Sequence, residues 1–590
     1  MVLMPTRPKG VFSAGLTLQQ ACVGRGGQGA AVRVHVLRTA MVEPFADYLG
    51  YYLADYGLSP SVSFGQYQDL LLEANSAAEA APDAVCCLLT LDWFVADWQY
   101  RDWQPQAVAD RIFTVFDKLG RQAGIPAIAN TILEPCFPPG GMAAVASSGS
   151  VTRKIRALNT LLCDYAEASG GALSLIDWNI LAARLGEGAV IDSRMAYAAS
   201  APFRPEFLNQ VAWEASKQIR ILRGRLNKCL VLDCDNTLWG GVVGESGPSG
   251  IALDPVVWPG RAYHEFQKSV LAEIGRGTVV ALCSKNNEAD VWQVIDSHPH
   301  CLLRREHIAA ARINWQDKPQ NIAGIAEELN LSLDSLVFLD DSPFECDQVR
   351  TLLPGVTVVE VPGSRLSDYP TLLGRLGLFD GLATSAEDRV RSRLYQDERR
   401  RRQHREAFAD RGAYLGSLGL KAHIHPAAEA ELGRVAQLTQ KTNQFNLTTR
   451  RYSEAEIRAM AADPACRLYS LTAEDKFGSY GLTGVLIARR QGDVVDIEAL
   501  LLSCRILGRQ FEDCFVAVCL ADLAAGQPGT RFTAAYLPTA KNGQTARFWD
   551  RFAPGRAAPD GARRYAWQAE GMSFTGPDFI EVATGPEGER

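Results

Sequence analysis

The chain has 590 residues, of which 47% are apolar and 22% charged, and its net charge is −7. This composition is typical of a globular protein of three or four domains, and the negative charge argues against a nucleic-acid partner. The apolar stretches, such as residues 84–91, are far shorter than the roughly 20 residues that a membrane-spanning helix needs. The 14 cysteines form no CxxC pair, and we recognise no export signal, so we expect reduced thiols in a cytoplasmic protein without a membrane partner.

Shifts in composition along the chain predict a multidomain α/β architecture. The expected order is a disordered leader (1–30), an α/β domain (31–225), a second α/β domain (226–380), a basic helical linker (381–419), a third α/β domain (420–555) and a tail (556–590). The linker includes residues 388–405, which contain eight arginines. Such a run is either a solvated face or a surface that steers an acidic partner.

The first domain has the pattern of a parallel sheet. Residues 32–37 alternate between apolar and polar side chains, and residues 84–91 form a continuous apolar run, as in a strand that is buried on both faces. Two further strand candidates, residues 125–130 and 173–177, follow at spacings that leave room for a helix each. This rhythm predicts a sandwich of helices around parallel strands.

In the second domain an apolar strand runs directly into the segment Asp233-Cys-Asp-Asn-Thr237. A parallel strand delivers its last residues to the carboxyl edge of the sheet, where ligands bind, so we expect Asp233 to act as a nucleophile. Asp235 is placed to protonate the leaving oxygen and then to activate water. Two carboxylates this close call for a hard divalent cation with oxygen ligands, such as Mg²⁺.

Three later segments complete a set of phosphotransfer motifs. Ser284 ends the strand candidate 278–284 and could donate a hydrogen bond to a phosphoryl oxygen, and Lys318 could neutralise the phosphorylated aspartate. Asp340 and Asp341 end another apolar run, residues 336–339. The predicted metal ligands are Asp233, Asp235 and Asp340.

The order of these motifs resembles that of the haloacid dehalogenase superfamily. The resemblance implies a three-layer, Rossmann-like parallel-sheet core and magnesium-dependent phosphatase chemistry. Only about forty residues separate the first two motifs, including a glycine-rich flap at residues 240–250. This gap is too short for a large cap domain, so we expect an open site.

Longer motifs point to a narrower family. Residues 233–245, 338–345 and 437–447 together resemble FkbH-like proteins of polyketide biosynthesis. This resemblance, which covers about residues 227–548, implies that the chain takes a three-carbon unit from 1,3-bisphosphoglycerate, removes phosphate and loads glyceryl onto the thiol of an acyl carrier protein. The thiol belongs to the phosphopantetheine group of the carrier.

The third domain contains a segment that resembles the coenzyme-A signature of GNAT-type acyltransferases. A strand candidate, residues 494–503, precedes Cys504-Arg-Ile-Leu-Gly-Arg-Gln510. Backbone N–H groups at a helix N-terminus can hold a phosphate there. The resemblance implies cofactor binding by Arg505, Gly508 and Arg509, although Gln510 stands where a second glycine is common; residues 439–446 and 539–542 could line the same cleft.

Two cysteines could carry an acyl group. Cys504 begins the arginine-containing segment, where a helix N-terminus and Arg505 would favour the thiolate, and we predict that it carries glyceryl transiently. Cys234 lies between the two catalytic acids, which would suppress its thiolate. We therefore expect Cys234 to belong to the core.

The first domain resembles the SGNH-hydrolase-like domains that precede some FkbH-like proteins. Its first strand leads to Thr39 where such esterases have serine, and Met195 stands where they have histidine. Asn130 alone is expected to cap a loop. We therefore predict a non-catalytic domain.

Three functions remain open from the sequence. The first is a bifunctional phosphatase and glyceryl transferase, the second a magnesium-dependent phosphatase of a small phosphometabolite without acyl transfer, and the third a non-enzymatic scaffold. The complete set of motif residues argues against the scaffold. The segment at residues 504–512 favours the first function over the second.

Overall fold

The structure, a computed structural model, describes residues 12–24, 29–66, 69–361, 363–381, 401, 404–405, 408, 410–527, 529–539, 541–558, 561–569 and 576–585. These residues form three α/β units, each built around its own sheet. The prediction of a multidomain α/β chain is confirmed. Within the described residues no helix is both long and apolar enough to cross a membrane.

The first sheet has five parallel strands in the order β2-β1-β3-β4-β5. The strands are β1 (Ala30–Arg38), β2 (Leu58–Phe64), β3 (Ala84–Leu88), β4 (Ala127–Asn130) and β5 (Leu173–Ile176). Every residue of β3 and β4 is buried, because helices cover both faces of the sheet. The helices are Pro44–Asp55, Leu70–Ala80, Leu91–Phe94, Pro105–Phe116, Val151–Ala168, Trp178–Leu185, Ser193–Ala199 and Pro205–Leu222.

The segment before β1 differs from the expected disordered leader. Residues Leu18–Gly24 form a helix. Leu16 and Ala21 are buried in the core of the first domain, and the ring of Phe12 lies 5.4 Å from that of Trp213. Apolar burial against helices from elsewhere in the domain orders this stretch, although its own composition favours disorder.

The second sheet is also parallel, with the order β10-β9-β6-β7-β8. Separate apolar clusters fill its two faces, which confirms the three-layer core. The chain between β6 and β7 forms a short helix and one layer helix, as expected for a domain without a large cap. The strands are β6 (Cys229–Leu232), β7 (Val279–Ser284), β8 (Ala310–Ile313), β9 (Leu336–Asp340) and β10 (Thr357–Glu360); the helices are Val243–Ser246, Gly260–Gly275, Glu288–Ser297, Lys318–Glu328, Pro343–Leu352 and Leu372–Leu376.

The third sheet is mixed and has nine strands, eight of them in the order β17-β18-β16-β15-β14-β13-β11-β19, with β12 paired to β15. The strands are β11 (Leu420–Pro426), β12 (Phe445–Asn446), β13 (Cys466–Asp475), β14 (Gly478–Gln491), β15 (Val494–Leu502), β16 (Arg531–Tyr536), β17 (Arg556–Ala557), β18 (Arg563–Gln568) and β19 (Ile580–Thr584). The helices are Arg411–Ser417, Leu432–Lys441, Glu454–Ala462 and Phe511–Ala524.

This sheet extends beyond the expected end of the domain at residue 555. The predicted tail supplies β17, β18 and β19, and β19 pairs in parallel with β11. Tyr565 and Trp567 of β18 alternate inward and are buried in the third core. The expectation of a poorly ordered tail is wrong for these strands, because they complete two ends of the sheet.

The basic segment, residues 388–405, lies mostly outside the described residues. Arg401 is described, and it is buried rather than solvated: its guanidinium forms two hydrogen bonds to Asp475 of 2.6 and 2.9 Å and lies 4.0 Å from the ring centre of Tyr480. At least this arginine is therefore part of the third domain and does not belong to a steering surface.

Candidate active site

The carboxyl edge of the second sheet brings Asp233, Lys318 and Asp340 into direct contact. Asp233 follows the last residue of β6, and its N–H donates to the Leu339 carbonyl of β9 at 3.0 Å. Lys318 starts the helix Lys318–Glu328; its Nζ donates to Asp233 Oδ1 at 2.8 Å and to Asp340 Oδ2. All three side chains are buried. One ammonium therefore bridges two carboxylates that approach each other from neighbouring strands.

The charges of this triad depend on one another. Burial raises the pKa of Asp233, although Lys318 opposes the rise. Burial, together with the Asp233 carboxylate, raises the pKa of Asp340 to about 7. Burial alone would lower the pKa of Lys318, but the two carboxylates outweigh it and raise that pKa. The lysine is thus held in its charged form beside the expected nucleophile.

A cation site lies at the same edge of the sheet. Asp233, Asp340 and Asp341 each offer a carboxylate oxygen, and the three oxygens lie within 4.8 Å of one another. An all-oxygen, anionic donor set of this kind fits a hard divalent cation. Asp341 thus joins the predicted ligands Asp233 and Asp340 as a candidate ligand, and Asp235 stays a predicted ligand.

Asp235 is held away from that cluster by three donors. Its Oδ1 accepts from Trp239 Nε1 at 2.8 Å and from the Val243 N–H at 3.1 Å, and its Oδ2 accepts from Asn286 Nδ2 at 2.8 Å. Asn236, at φ +53°, turns the chain just after Asp235. A carboxylate fixed in this way beside the nucleophile suits the predicted acid–base role.

Ser284 is at the position that the sequence indicated. It ends β7, is buried, and its hydroxyl donates a hydrogen bond that helps to lower the pKa of Asp233 against the effect of burial. Asn286 Nδ2 lies 3.5 Å from Ser284 Oγ and so connects this hydroxyl with Asp235. Sequence reasoning placed Asn286 after the strand without a role and gave none to Trp239. Their sequence signal is that each lies two residues after a motif residue, Ser284 or Thr237.

Cys234 lies in the core, as expected. Its side chain has no exposed surface, and burial together with Asp233 raises the pKa of its thiol well above the usual range. A buried thiol of this kind is a poor nucleophile.

The mouth of the site carries exposed side chains from the loops at the same edge. Trp315 precedes Lys318 and is 71% exposed, and Phe344 follows the Asp340 motif and is 65% exposed. Lys285 extends between these loops and forms an ion pair of 2.8 Å with Glu345. The exposure of Trp315 and Phe344 agrees with the expected open site.

The arginine-containing segment of the third domain folds onto its own domain. Arg505 donates to the Tyr480 carbonyl at 2.8 Å, and Arg509, which is buried, donates to the Arg505 carbonyl at 2.7 Å. Arg411 donates to the carbonyl of Gly508 at 2.7 Å. The two arginines therefore contact backbone carbonyls of their own domain, and their role in cofactor binding stays a prediction. The backbone of Cys504 lies in the turn Cys504–Ile506; its side chain lies outside the described residues.

A short strand covers the edge of β15 next to this segment. β15 and β16 pair only along residues 494–497 and 531–534 and then separate. β12 pairs with the end of β15. The Leu447 N–H donates to the Leu500 carbonyl at 3.1 Å, and the Leu447 carbonyl accepts from the Leu537 N–H at 2.8 Å. The protein's own backbone thus satisfies groups that an extended ligand would otherwise contact.

The residues at the carboxyl edge of the first sheet have structural partners. Thr39 Oγ1 lies 3.0 Å from Thr90 Oγ1. Asn130 bonds both backbone groups of Leu89, at 2.7 and 2.9 Å, as expected of a residue that caps a loop. Asp192 caps the helix Ser193–Ala199 through the N–H of Met195. These contacts explain the residues without an esterase function.

Together, the parallel core and the arrangement of acids, serine and lysine at its carboxyl edge suit phosphotransfer through an aspartate nucleophile. A solved structure is similar to this chain: the N-terminal part of the protein BF1531 from Bacteroides fragilis, which contains a phosphatase domain and is complexed with Mg. The identity is 26% and the TM-score 0.58, and the match covers 62% of this chain and 100% of that one.

Weaker matches involve acetyltransferases. The ribosomal-protein-S18-alanine N-acetyltransferase from Escherichia coli is 13% identical, with a TM-score of 0.20 over 26% of this chain and 99% of that one. NAA60 from Arabidopsis thaliana is 12% identical, with a TM-score of 0.21 over 26% of this chain and 99% of that one. At these values neither likeness bears on activity. No protein-family model and no curated protein matches the sequence.

Proposed function

We propose that the chain is a magnesium-dependent phosphatase and glyceryl transferase that converts 1,3-bisphosphoglycerate into a glyceryl thioester on an acyl carrier protein. The observation that carries the phosphatase half is the contact of Lys318 with both Asp233 and Asp340, next to a separately held Asp235. The FkbH-like motifs supply the glyceryl group and the carrier. The Mg of the similar Bacteroides fragilis structure supports the choice of metal.

The phosphatase half follows from the roles of the four side chains. A carboxylate oxygen of Asp233 attacks the phosphorus of the ester on carbon 3, and Asp235 gives a proton to the departing alkoxide oxygen. Asp235 then takes a proton from water, which attacks the aspartyl phosphate and releases phosphate. Lys318 and Ser284 stabilise the negative charge of the phosphoryl oxygens. Mg²⁺ held by Asp233, Asp340 and Asp341 would supply further positive charge.

The transfer half needs no additional energy source. Carbon 1 carries an acyl phosphate, so the pantetheine thiolate can attack the carbonyl carbon and release phosphate. Transfer is either direct or passes through a thioester on Cys504, as the sequence predicts. Carrier loading that persists in Cys504→Ala would show direct transfer.

The second candidate is a magnesium phosphatase that acts on a small phosphometabolite without acyl transfer. The contacts of Arg505 and Arg509 with backbone carbonyls favour it, because they engage two side chains that the transfer function assigns to a phosphate. The same is true of β12, which covers the edge of β15. A thiol-binding site elsewhere in the chain would reconcile these contacts with acyl transfer.

The phosphatase half is tested by magnesium-dependent phosphate release from a 3-phosphoglyceryl thioester. Asp233→Asn keeps the shape of the side chain but removes the nucleophile, so release should fall by about 10³-fold or more. Asp296→Asn is the matched control, since Asp296 lies on the surface and pairs with Arg305. Wild-type turnover by Asp233→Asn would refute the assignment of the nucleophile.

A further inference from the structure

A large cleft lies where the three domains meet. Its volume is about 1700 Å³. Ala30 and Asp83 line it at the starts of two strands of the first sheet, and Lys228 and Thr278 line it at the starts of β6 and β7. We call it the junction cleft. It lies at the amino-terminal edges of the first and second sheets, whereas Asp233 lies at the carboxyl edge of the second sheet.

The third domain lines this cleft with the polar side chains of one sequence motif. Gln437, Gln440, Lys441 and Asn443 come from residues 437–447. Thr539 and Lys541 come from the other segment that the sequence singled out, residues 539–542. No described side chain of residues 503–511 lines the cleft. The amide-rich motif thus faces the junction cleft, while the arginine-containing segment does not.

One cation of the junction cleft, Arg451, donates its hydrogen bonds to uncharged groups. It donates to the Thr439 carbonyl at 2.7 Å, to the Gln440 carbonyl and to Asn443 Oδ1. These three bonds close the end of the helix Leu432–Lys441, yet a guanidinium has five N–H donors. Two donors remain, and no carboxylate among the described residues forms an ion pair with Arg451.

Other cations crowd around Arg451. Burial, together with the nearby Arg223, lowers the pKa of Arg451 to about 10. Gly224 lies directly against it: a Cβ at Gly224 would be 2.7 Å from the Arg451 guanidinium carbon. The next residue, Arg225, is exposed at the wall of the cleft. Its neighbour Asp334 is already paired with Lys541. Positive charge of this density favours an anionic ligand.

The acids of the cleft are largely engaged elsewhere. Asp83 pairs with Arg223, Glu431 with His425 and Glu454 with Arg458. Glu456 caps its own helix by accepting from Ser453. Asp83 therefore offsets the charge of Arg223, but none of these four carboxylates forms an ion pair with Arg451 or Arg225.

We propose that the junction cleft binds the phosphopantetheine arm of the carrier, with Arg225 and Arg451 at its phosphate and the amides of Gln437 and Gln440 beside its amide groups. This inference rests on the proposed function, which requires a thiol acceptor. The cleft is larger than the usual 300–1,000 Å³ of a small-ligand site, which suits a long arm better than a three-carbon acid. It also explains how a thiol could reach the chain although the edge of β15 is covered.

The test is the binding of free 4′-phosphopantetheine to the full-length Asp233→Asn protein, which cannot remove the phosphate, measured by isothermal titration calorimetry. Binding should weaken at least tenfold in Arg225→Glu and in Arg451→Met, and also for pantetheine without phosphate. Arg225 is exposed, so the melting temperature of its variant should not change. Arg505→Ala, which alters the segment that the sequence favoured, should bind normally. Unchanged binding in both cleft variants, or loss of binding in Arg505→Ala, would overturn the proposal.

A competition experiment identifies the source of the arm. Carrier protein with its phosphopantetheine should displace the probe, and the same carrier without it should not. Displacement by coenzyme A but not by the carrier would overturn the assignment to a carrier. If the proposed function is wrong, no carrier is acylated. If only this inference is wrong, carrier loading stays intact in Arg225→Glu and Arg451→Met.

Discussion

At the scale of single residues, the site depends on one lysine between two buried carboxylates. Lys318, Asp233 and Asp340 expose 4%, 7% and 0% of their side chains. A buried ion pair contributes little in net terms when intact, but removing one partner is costly because it leaves uncompensated charge. The lysine therefore matters to the stability of the domain as well as to catalysis.

Lys318→Met should lower the free energy of unfolding of the metal-free protein by about 3–5 kcal/mol. Added Mg²⁺ should recover part of this loss, because it supplies positive charge to the same carboxylates, and should raise the melting temperature of the variant more than that of the wild type. Thermal unfolding with and without Mg²⁺ measures both effects. The control is Lys268→Met, which removes a surface pair with Glu265 and should change little. Equal Mg²⁺ responses in variant and wild type would contradict this account.

Trp239→Phe should lower kcat about tenfold or more while KM changes little, because Asp235 loses the indole hydrogen bond that orients it. Phenylalanine keeps most of the apolar packing, so the fold should persist. Trp315→Phe is the matched control, since Trp315 is an exposed indole at the mouth of the site. A loss in KM alone would show that Trp239 contacts substrate and does not position Asp235.

The residues of the phosphatase site show which features can be predicted from the sequence and which cannot. Asp233, Ser284 and Lys318 could be predicted, because strand ends and motif order fix their positions. The position of Asp341 in the carboxylate cluster with Asp233 and Asp340 could not. Beyond a strand end the alternation of side chains no longer applies, and the turn at Asn236, at φ +53°, redirects the chain.

At the scale of elements, the third domain depends on how β12 is fixed between β15 and β16. Asn542 is fully buried and forms most of this connection. Its Nδ2 donates to the carbonyls of Asn446 at 2.9 Å and Leu537 at 2.8 Å, and its Oδ1 accepts from the Thr539 N–H at 2.8 Å. One side chain thus joins the short strand to the loop after β16.

Asn542→Ala should destabilise the third domain by about 2–4 kcal/mol, because it leaves buried backbone groups without partners. Hydrogen exchange of the peptide that contains residues 445–447 should accelerate most. Lys541→Ala is the control, since it breaks only a half-exposed pair with Asp334. If β12 exchanged no faster in Asn542→Ala, the strand would be held by other contacts.

The strands that sequence reasoning missed share a physical cause. β12 has two residues, and β19 pairs with β11, more than 150 residues earlier in the chain. A short or distant pairing leaves little local pattern, and it forms only when the rest of the sheet is present. β15 instead carries a mostly apolar local pattern, which is why residues 494–503 could be predicted as a strand.

At the scale of the whole molecule, the two proposed sites lie at opposite ends of β6. Lys228, before the strand, lines the junction cleft, and Asp233, after it, is the nucleophile. The four residues of β6 lie between them, so five residue steps separate Lys228 from Asp233 by about 16 Å. Thiol transfer in the cleft should therefore not require a working phosphatase site. The acyl group would have to move between the two sites, and an acyl group on a long phosphopantetheine arm can do so.

The central claim is tested by the intact mass of the carrier after incubation with the full-length protein, 1,3-bisphosphoglycerate and Mg²⁺. With wild-type protein the carrier should gain a glyceryl group. With Asp233→Asn it should gain a phosphoglyceryl group, because transfer continues while the ester on carbon 3 remains. A carrier of unchanged mass with both proteins, while the wild type still releases phosphate from the ester, would contradict acyl transfer and leave only a phosphatase.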